Sequence, residues 1–172
     1  MVETAKYHLI RKVGDFEIRR YDGILVARVR NAPSRFRVLF NYITGSNKSK
    51  KKVAMTSPVI TSEEIAMTSP VLSNNDSMSF VVPSEYNKET VPEPTDERIS
   101  INEVPERYVA TVRFRGLAWK NSVRKQTTRL LDWLRDEDIH VNGAPFLMQY
   151  NPPYVPSFLR RNEIGIVVKY QE

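Results

Sequence analysis

The stretch Tyr150-Asn151-Pro152-Pro153-Tyr154-Val155-Pro156-Ser157-Phe158-Leu159-Arg160-Arg161-Asn162-Glu163 holds the densest set of side chains able to recognise a ligand. Its prolines, Pro152, Pro153 and Pro156, fix φ and hold the chain stiff and extended. Tyr154 and Phe158 offer flat apolar faces, and Arg160 and Arg161 offer guanidinium forks that suit carboxylates. A rigid aromatic loop ending in arginines can grip a planar, apolar, acidic molecule. The same residues also suit a stiffened crossover whose arginines pair with Glu163, and the two readings stand level on sequence alone.

Other chemistry is sparse. There is no cysteine, which excludes disulfides, thiolate metal sites and cysteine nucleophiles. The six glycines are scattered singly, so no phosphate-binding glycine loop exists, and no G-x-S-x-G elbow is present. The only histidines, His8 and His140, sit outside any motif and read as structural or solvated. A catalytic carboxylate needs a raised pKa in a buried setting, and only Glu17 and Glu163 lie within strand-like patterns. Lys48, Lys50, Lys51 and Lys52 form a basic run that reads as a solvated loop before it reads as a phosphate contact.

Charge is distributed in blocks. Residues 1–52 hold 13 Lys/Arg against 4 Asp/Glu, residues 53–106 hold 2 against 10, and residues 107–172 hold 11 against 6. Two basic blocks around an acidic one suit internal complementarity or a basic ligand-facing surface better than a nucleic-acid interface. No stretch reaches the length of about 18 apolar residues that spans a bilayer, and the N-terminus lacks the order of a secretory leader. The expected setting is cytoplasmic, with a small apolar molecule as partner, no nucleic acid and no membrane span.

These residues need elements to position them. FEIRRY at 16–21 and ILVARVR at 24–30 alternate as strands, and Asp22-Gly23 between them predicts a hairpin. Phe36, Leu39, Phe40 and Ile43 fall at i, i+3, i+4 and i+7, which predicts one apolar helix face, with Asn31 or Ser34 as cap and Gly45 as stop. AMTSPVI at 54–60 recurs as AMTSPVL at 66–72; both read as strands or strand ends near the sheet centre, with Met55 and Met67 inward. MSFVVP at 78–83 is a strand and 84–97 an acidic connection. Strands are predicted at 99–105, 107–114, 146–150 and 163–170, with a long amphipathic helix within 117–142 that Gly143 closes.

VARVR at 26–30 matches VATVR at 109–113 at an offset of 83. Each copy follows a strand and a turn and precedes a helix and two strands. We read an internal duplication of a β-β-α-β-β unit, with helices outside a shared sheet and clefts between helix and sheet.

FEIRRY, NYITGSN, KVAMTSPVI, IAMTSPVL, MSFVVP and YNPPYVPSFLRRNEI, in this order from about residue 14 to 170, are similar to the SOUL haem-binding protein family. The resemblance implies a single domain over 1–172 in the α+β class. Its βαββ-type halves, about 14–83 and 98–170, form a distorted antiparallel β-barrel with one main helix per half outside, as in bacterial effector-binding domains. It also implies binding of haem or another tetrapyrrole between the first helix and the 151–161 loop. The positions carried over are Phe36, Arg37, Phe40 and Asn41 on the helix and Tyr154, Val155 and Phe158 on the loop, with Arg160 as a further carboxylate partner. Some members carry a proposed axial histidine where this sequence has Arg20, so the expected cofactor is haem without a strong axial ligand.

The resulting expectation is a buffer, carrier or sensor that is not an enzyme. Phe36, Phe40, Tyr154 and Phe158 would cover a porphyrin disc, and Arg35, Arg37 or Arg160 would meet its carboxylates. The alternatives are an enzyme of the effector-binding-domain type acting on apolar small molecules, and a protein-interaction module that uses the 84–97 loop.

Overall fold

In the computed structural model, residues 3–50, 64–65, 67–152 and 154–172 are described. The strands are β1 (Tyr7–Val13), β2 (Phe16–Tyr21), β3 (Ile24–Arg30), β4 (Asn47–Lys48), β5 (Thr68–Ser73), β6 (Ser77–Val81), β7 (Glu93–Pro94), β8 (Ile99–Val104), β9 (Arg107–Arg115), β10 (His140–Val141), β11 (Phe146–Gln149) and β12 (Arg161–Lys169). Helix α1 (Arg35–Ile43) follows β3, helix α2 (Lys120–Asp136) follows β9, and a 3-10 turn covers Ser157–Leu159.

One 10-stranded sheet runs β1-β2-β9-β12-β11-β5-β6-β3-β8, with β10 on β12, and all its strand pairs are antiparallel. Sheet twist curls it into a half-barrel with both helices on the convex side. The fold is therefore α+β, a curled antiparallel sheet with one main helix per half, as the sequence led us to expect.

Apart from the edge strand β1, which has no counterpart, the path reads the same from either end once β2, β3, β5 and β6 are exchanged for β8, β9, β11 and β12. Phe16 and Ile99, the first residues of β2 and β8, are 83 apart, as are Ile24 and Arg107, the first residues of β3 and β9.

The expected hairpin at Asp22-Gly23 does not form. Neither strand pairs with the other across the turn: β2 lies between β1 and β9, and β3 lies between β6 and β8. The Asp-Gly signal specifies a tight reversal but not the pairing that follows it.

Both faces of the central strands are covered. Ile18, Ala110, Val112, Ile164 and Ile166 pack beneath Leu130 and Leu134 of α2. Ala27, Val29 and Phe80 pack beneath Val38, Leu39, Tyr42 and Ile43 of α1. The alternate residues, Tyr21, Val26, Val81, Val104 and Val109, fill the concave side. Met67 packs against the α1 core and the second AMTSPV copy supplies β5, whereas the first copy lies outside the described residues. Helix α2 ends before Gly143: Asp138, at φ 55, turns the chain into β10.

Candidate functional site

Helix α1 presents two different apolar faces. Val38, Leu39, Tyr42 and Ile43 seat it on the sheet, and the Tyr42 hydroxyl donates to Pro92 O at 2.7 Å. Phe36 and Phe40, expected in the seating stripe, lie at its edge instead, 43% and 44% exposed. Their rings stack with centroids 6.0 Å apart and planes 16° from parallel, and Phe80 meets Phe36 edge-on at 5.4 Å. The result is an ordered aromatic ledge facing solvent. Arg37, beside it, is exposed and has no acid partner among the described residues. Arg35 is held elsewhere by a bond to Asn75 O at 3.1 Å. Asn41 lines a hollow of about 540 Å³ with Thr95, Asp96 and Arg98, so the structure separates it from the Phe36–Phe40 ledge.

The other half of the predicted site sits between β11 and β12. Tyr154 is 87% exposed and Phe158 70% exposed. The loop braces itself: Arg160 Nε donates to Val155 O at 2.8 Å, and Asn151 Oδ1 accepts from the Arg161 N–H at 2.6 Å. Arg160 is therefore engaged within its own loop. Three open hollows, of about 440, 540 and 380 Å³, mark the described surface, and none joins α1 to this loop. Ledge and loop are thus each well defined, and the segment 51–63 that follows β4 and the Lys48–Lys50 stretch lies outside the described residues.

The concave face carries a cluster of which the sequence disclosed only one pair, Arg161 with Glu163. Glu163 on β12 is fully buried, and Arg19 on β2 is 1% exposed. Arg19 clasps the carboxylate through two bonds, Nη1 to Oε2 at 2.6 Å and Nη2 to Oε1 at 2.9 Å. Arg161 adds bonds of 3.0 and 2.7 Å, and the Tyr150 hydroxyl donates at 2.8 Å. Arg19 Nε reaches Glu17 at 2.7 Å, and its guanidinium stacks on Tyr7 at 4.3 Å. Burial pushes the Glu163 carboxyl up, but the bonds and charges of Arg19 and Arg161 prevail and hold it below the ordinary carboxylate range. Burial, with Tyr21 and Glu163 nearby, raises the Tyr150 hydroxyl well above its usual value. Held below the ordinary carboxylate range by its arginines, Glu163 is a charged structural anchor at neutral pH. A carboxylate inside an otherwise apolar strand and the adjacent Arg161 were legible in the sequence; its other partner, Arg19, lies 144 positions away and left no local trace.

Residues 2–167 match the family model described as SOUL heme-binding protein. The chain belongs to the SOUL family. Heme-binding protein 1 of Xenopus laevis is 28% identical over 166 residues, which covers 88% of this chain and 83% of the relative. The crystal structure of the EcmrR C-terminal domain aligns with TM-score 0.59 at 13% identity over 95% of this chain and 98% of that one. The EcmrR–DNA complex seen by cryo-electron microscopy aligns with TM-score 0.58 at 12% identity over 90% of this chain and 57% of that one. At such identities the two structures speak for the fold alone.

Within this SOUL chain the position expected to hold an axial histidine, Arg20, is committed elsewhere. It lies on β2 opposite Tyr108 and approaches Glu172 at 3.5 Å, on the part of the sheet that α2 covers. His8 is exposed 3.6 Å from Asp22, and His140 is exposed on β10. Met148 is 1% exposed among the concave side chains. No group of three or more His, Asp or Glu residues able to hold a metal occurs among the described residues. The rings of the ledge and those of the loop each have the flat apolar chemistry that suits a porphyrin, and Phe36, Phe40, Tyr154 and Phe158 offer its iron no nitrogen or sulfur ligand.

Proposed function

We propose that this SOUL protein binds haem or a closely related tetrapyrrole at its surface, as a cytoplasmic buffer, carrier or sensor and without catalysing a reaction. The observation that carries the reading is the Phe36–Phe40 ledge: two near-parallel rings, each more than two-fifths exposed, on a helix whose other apolar residues are fully used. Exposed stacked rings on a rigid helix provide flat apolar contact at little ordering cost. Phe36 and Phe40 take the disc, Arg37 pairs with a carboxylate, and Asn41 stands at the edge of the helix. Tyr154, Val155 and Phe158 close over the ligand from the loop that Arg160 braces. The family match over residues 2–167 and the relationship to Heme-binding protein 1 support this ligand class. The repeated element order supports one domain over 1–172, built from duplicated halves at about 14–83 and 98–170.

Haem brings an iron centre when bound, and this chain's residues supply burial and charge pairing around it. Covering a few hundred Å² of porphyrin at about 25 cal/mol per Å², offset by association entropy, gives micromolar affinity. An enzymatic reading needs a buried acid that can exchange a proton near neutrality. The buried acid here, Glu163, is held ionised by two arginines, which argues against that role. Absorbance titration with hemin and protoporphyrin IX tests the proposal. Saturable binding that weakens about tenfold in Phe40→Ala supports it, and binding indifferent to Phe36, Phe40 and Arg37 overturns it.

A further inference from the structure

The end of the molecule where β9 runs out and β12 begins gathers exposed apolar side chains and unopposed positive charge. Arg161 pairs with Arg115 in the sheet register, and Asn162 Nδ2 donates to Gly116 O at 2.8 Å. These contacts fix the 151–161 loop, with its 3-10 turn, against the segment that leads into α2. Trp119 is 69% exposed there, Phe158 70%, Leu159 54% and Leu117 36%. Few soluble surfaces place four such side chains on two linked neighbouring segments.

The charge of this end is one-sided. No Asp or Glu occurs between Glu106 and Asp132, nor between Asp138 and Glu163. Glu163 itself is fully buried and spent on Arg19 and Arg161. Arg113, Arg115, Lys120 and Arg124 are exposed and have no acid partner among the described residues. Helix α2 starts at this place, after Trp119, with no acidic residue in its first turn and no side-chain cap. The positive end of its dipole therefore adds to the same field.

We propose that this tip is a docking surface for an anionic lipid bilayer. Trp119, Leu117, Phe158 and Leu159 enter the interface, and Arg113, Arg115, Lys120 and Arg124 meet acidic headgroups. Indole and phenyl rings beside lysine and arginine are the chemistry of interfacial anchoring. A second copy of this chain is the wrong occupant, because a symmetric contact would set these cations against one another. An RNA strand would satisfy the charge but leave Leu117 and Leu159 unused. Docking in this way brings the 151–161 loop to the surface in which an apolar tetrapyrrole would dissolve. The proposal shares Phe158 with the tetrapyrrole reading but is carried by Trp119, Leu117 and the cations of β9 and α2, which that reading does not use.

The test uses the full chain without porphyrin and vesicles of phosphatidylcholine alone or with phosphatidylserine. Co-sedimentation with the serine-containing vesicles is expected to exceed that with neutral ones by at least about tenfold, and to fall with added salt. Brominated acyl chains should quench Trp119, whereas Trp133 is stacked on Phe16 at 4.9 Å and should be spared. Trp119→Phe should remove the quenched component. Arg115→Glu with Lys120→Glu should cost more than about tenfold in vesicle affinity, with hemin titration in lipid-free solution unchanged. Absence of binding to anionic vesicles overturns the proposal, as does binding that ignores these substitutions. Binding without quenching, or a preference for single-stranded RNA over vesicles, also overturns it and marks a polyanion site instead.

Discussion

The two sides of the sheet use the same residue types to opposite ends. On the concave side Arg19, Arg161, Tyr150 and Glu163 are locked together, and every oxygen of the carboxylate is satisfied. On the outside Phe36, Phe40, Tyr154 and Phe158 are held by stiff backbone yet stay open to solvent, and Arg37, beside the first two, has no acid partner among the described residues. Charge that is buried and fully paired specifies the fold; rings and charge that are ordered but uncovered are free to bind. Each region should therefore respond to mutation in a way that the other does not.

The largest expected effect is on stability. Replacing Glu163 with Ala or Gln leaves Arg19 buried without its main counter-ion, which costs about 3–5 kcal/mol and lowers the melting temperature by about 10 °C or more. Porphyrin affinity of the folded fraction should stay within about twofold. A variant that melts like the parent would show that the cluster does not anchor the sheet. Acid sharpens the same point. The folded-state pKa of Glu163 is depressed, so its contribution is present above the unfolded carboxylate value of about 4.3 and is lost as pH falls through the lower folded value. The parent should lose stability faster than Glu163→Gln below about pH 4, measured by urea unfolding across the acid range.

The proposed binding surface should show the reverse pattern. Phe40→Ala is expected to cost about tenfold in porphyrin affinity, and its melting temperature should move by only a few degrees, because the ring is already half solvated. Arg37→Ala should cost about threefold, and more for a ligand that keeps both carboxylates than for its diester.

What the sequence disclosed follows from which forces are local. Period-two alternation in FEIRRY and VATVR is written along the strand, so those strands and the repeated order of elements were legible. β1 was missed, because as a sheet edge its residues alternate poorly in burial. The partner exchange of β2 and β3 was missed because a turn signal carries no information about distant pairing. The helix stripe was correct at Leu39 and Ile43 and rotated at Phe36 and Phe40, since apolarity marks an exposed ring and a core ring alike. The Arg19–Glu163 clasp joins the two ends of the chain, and only the folded sheet brings them together.

The central claim is that the ligand is held by rings and charge rather than by a bond to iron. Parallel titrations of hemin and protoporphyrin IX, on the parent chain and on His8→Ala/His140→Ala and Phe40→Ala, test it most directly. The account predicts micromolar binding of both ligands, the double-histidine variant unchanged and Phe40→Ala weakened about tenfold. Binding of hemin but not of the metal-free porphyrin, lost with the histidines and kept without Phe40, would contradict it.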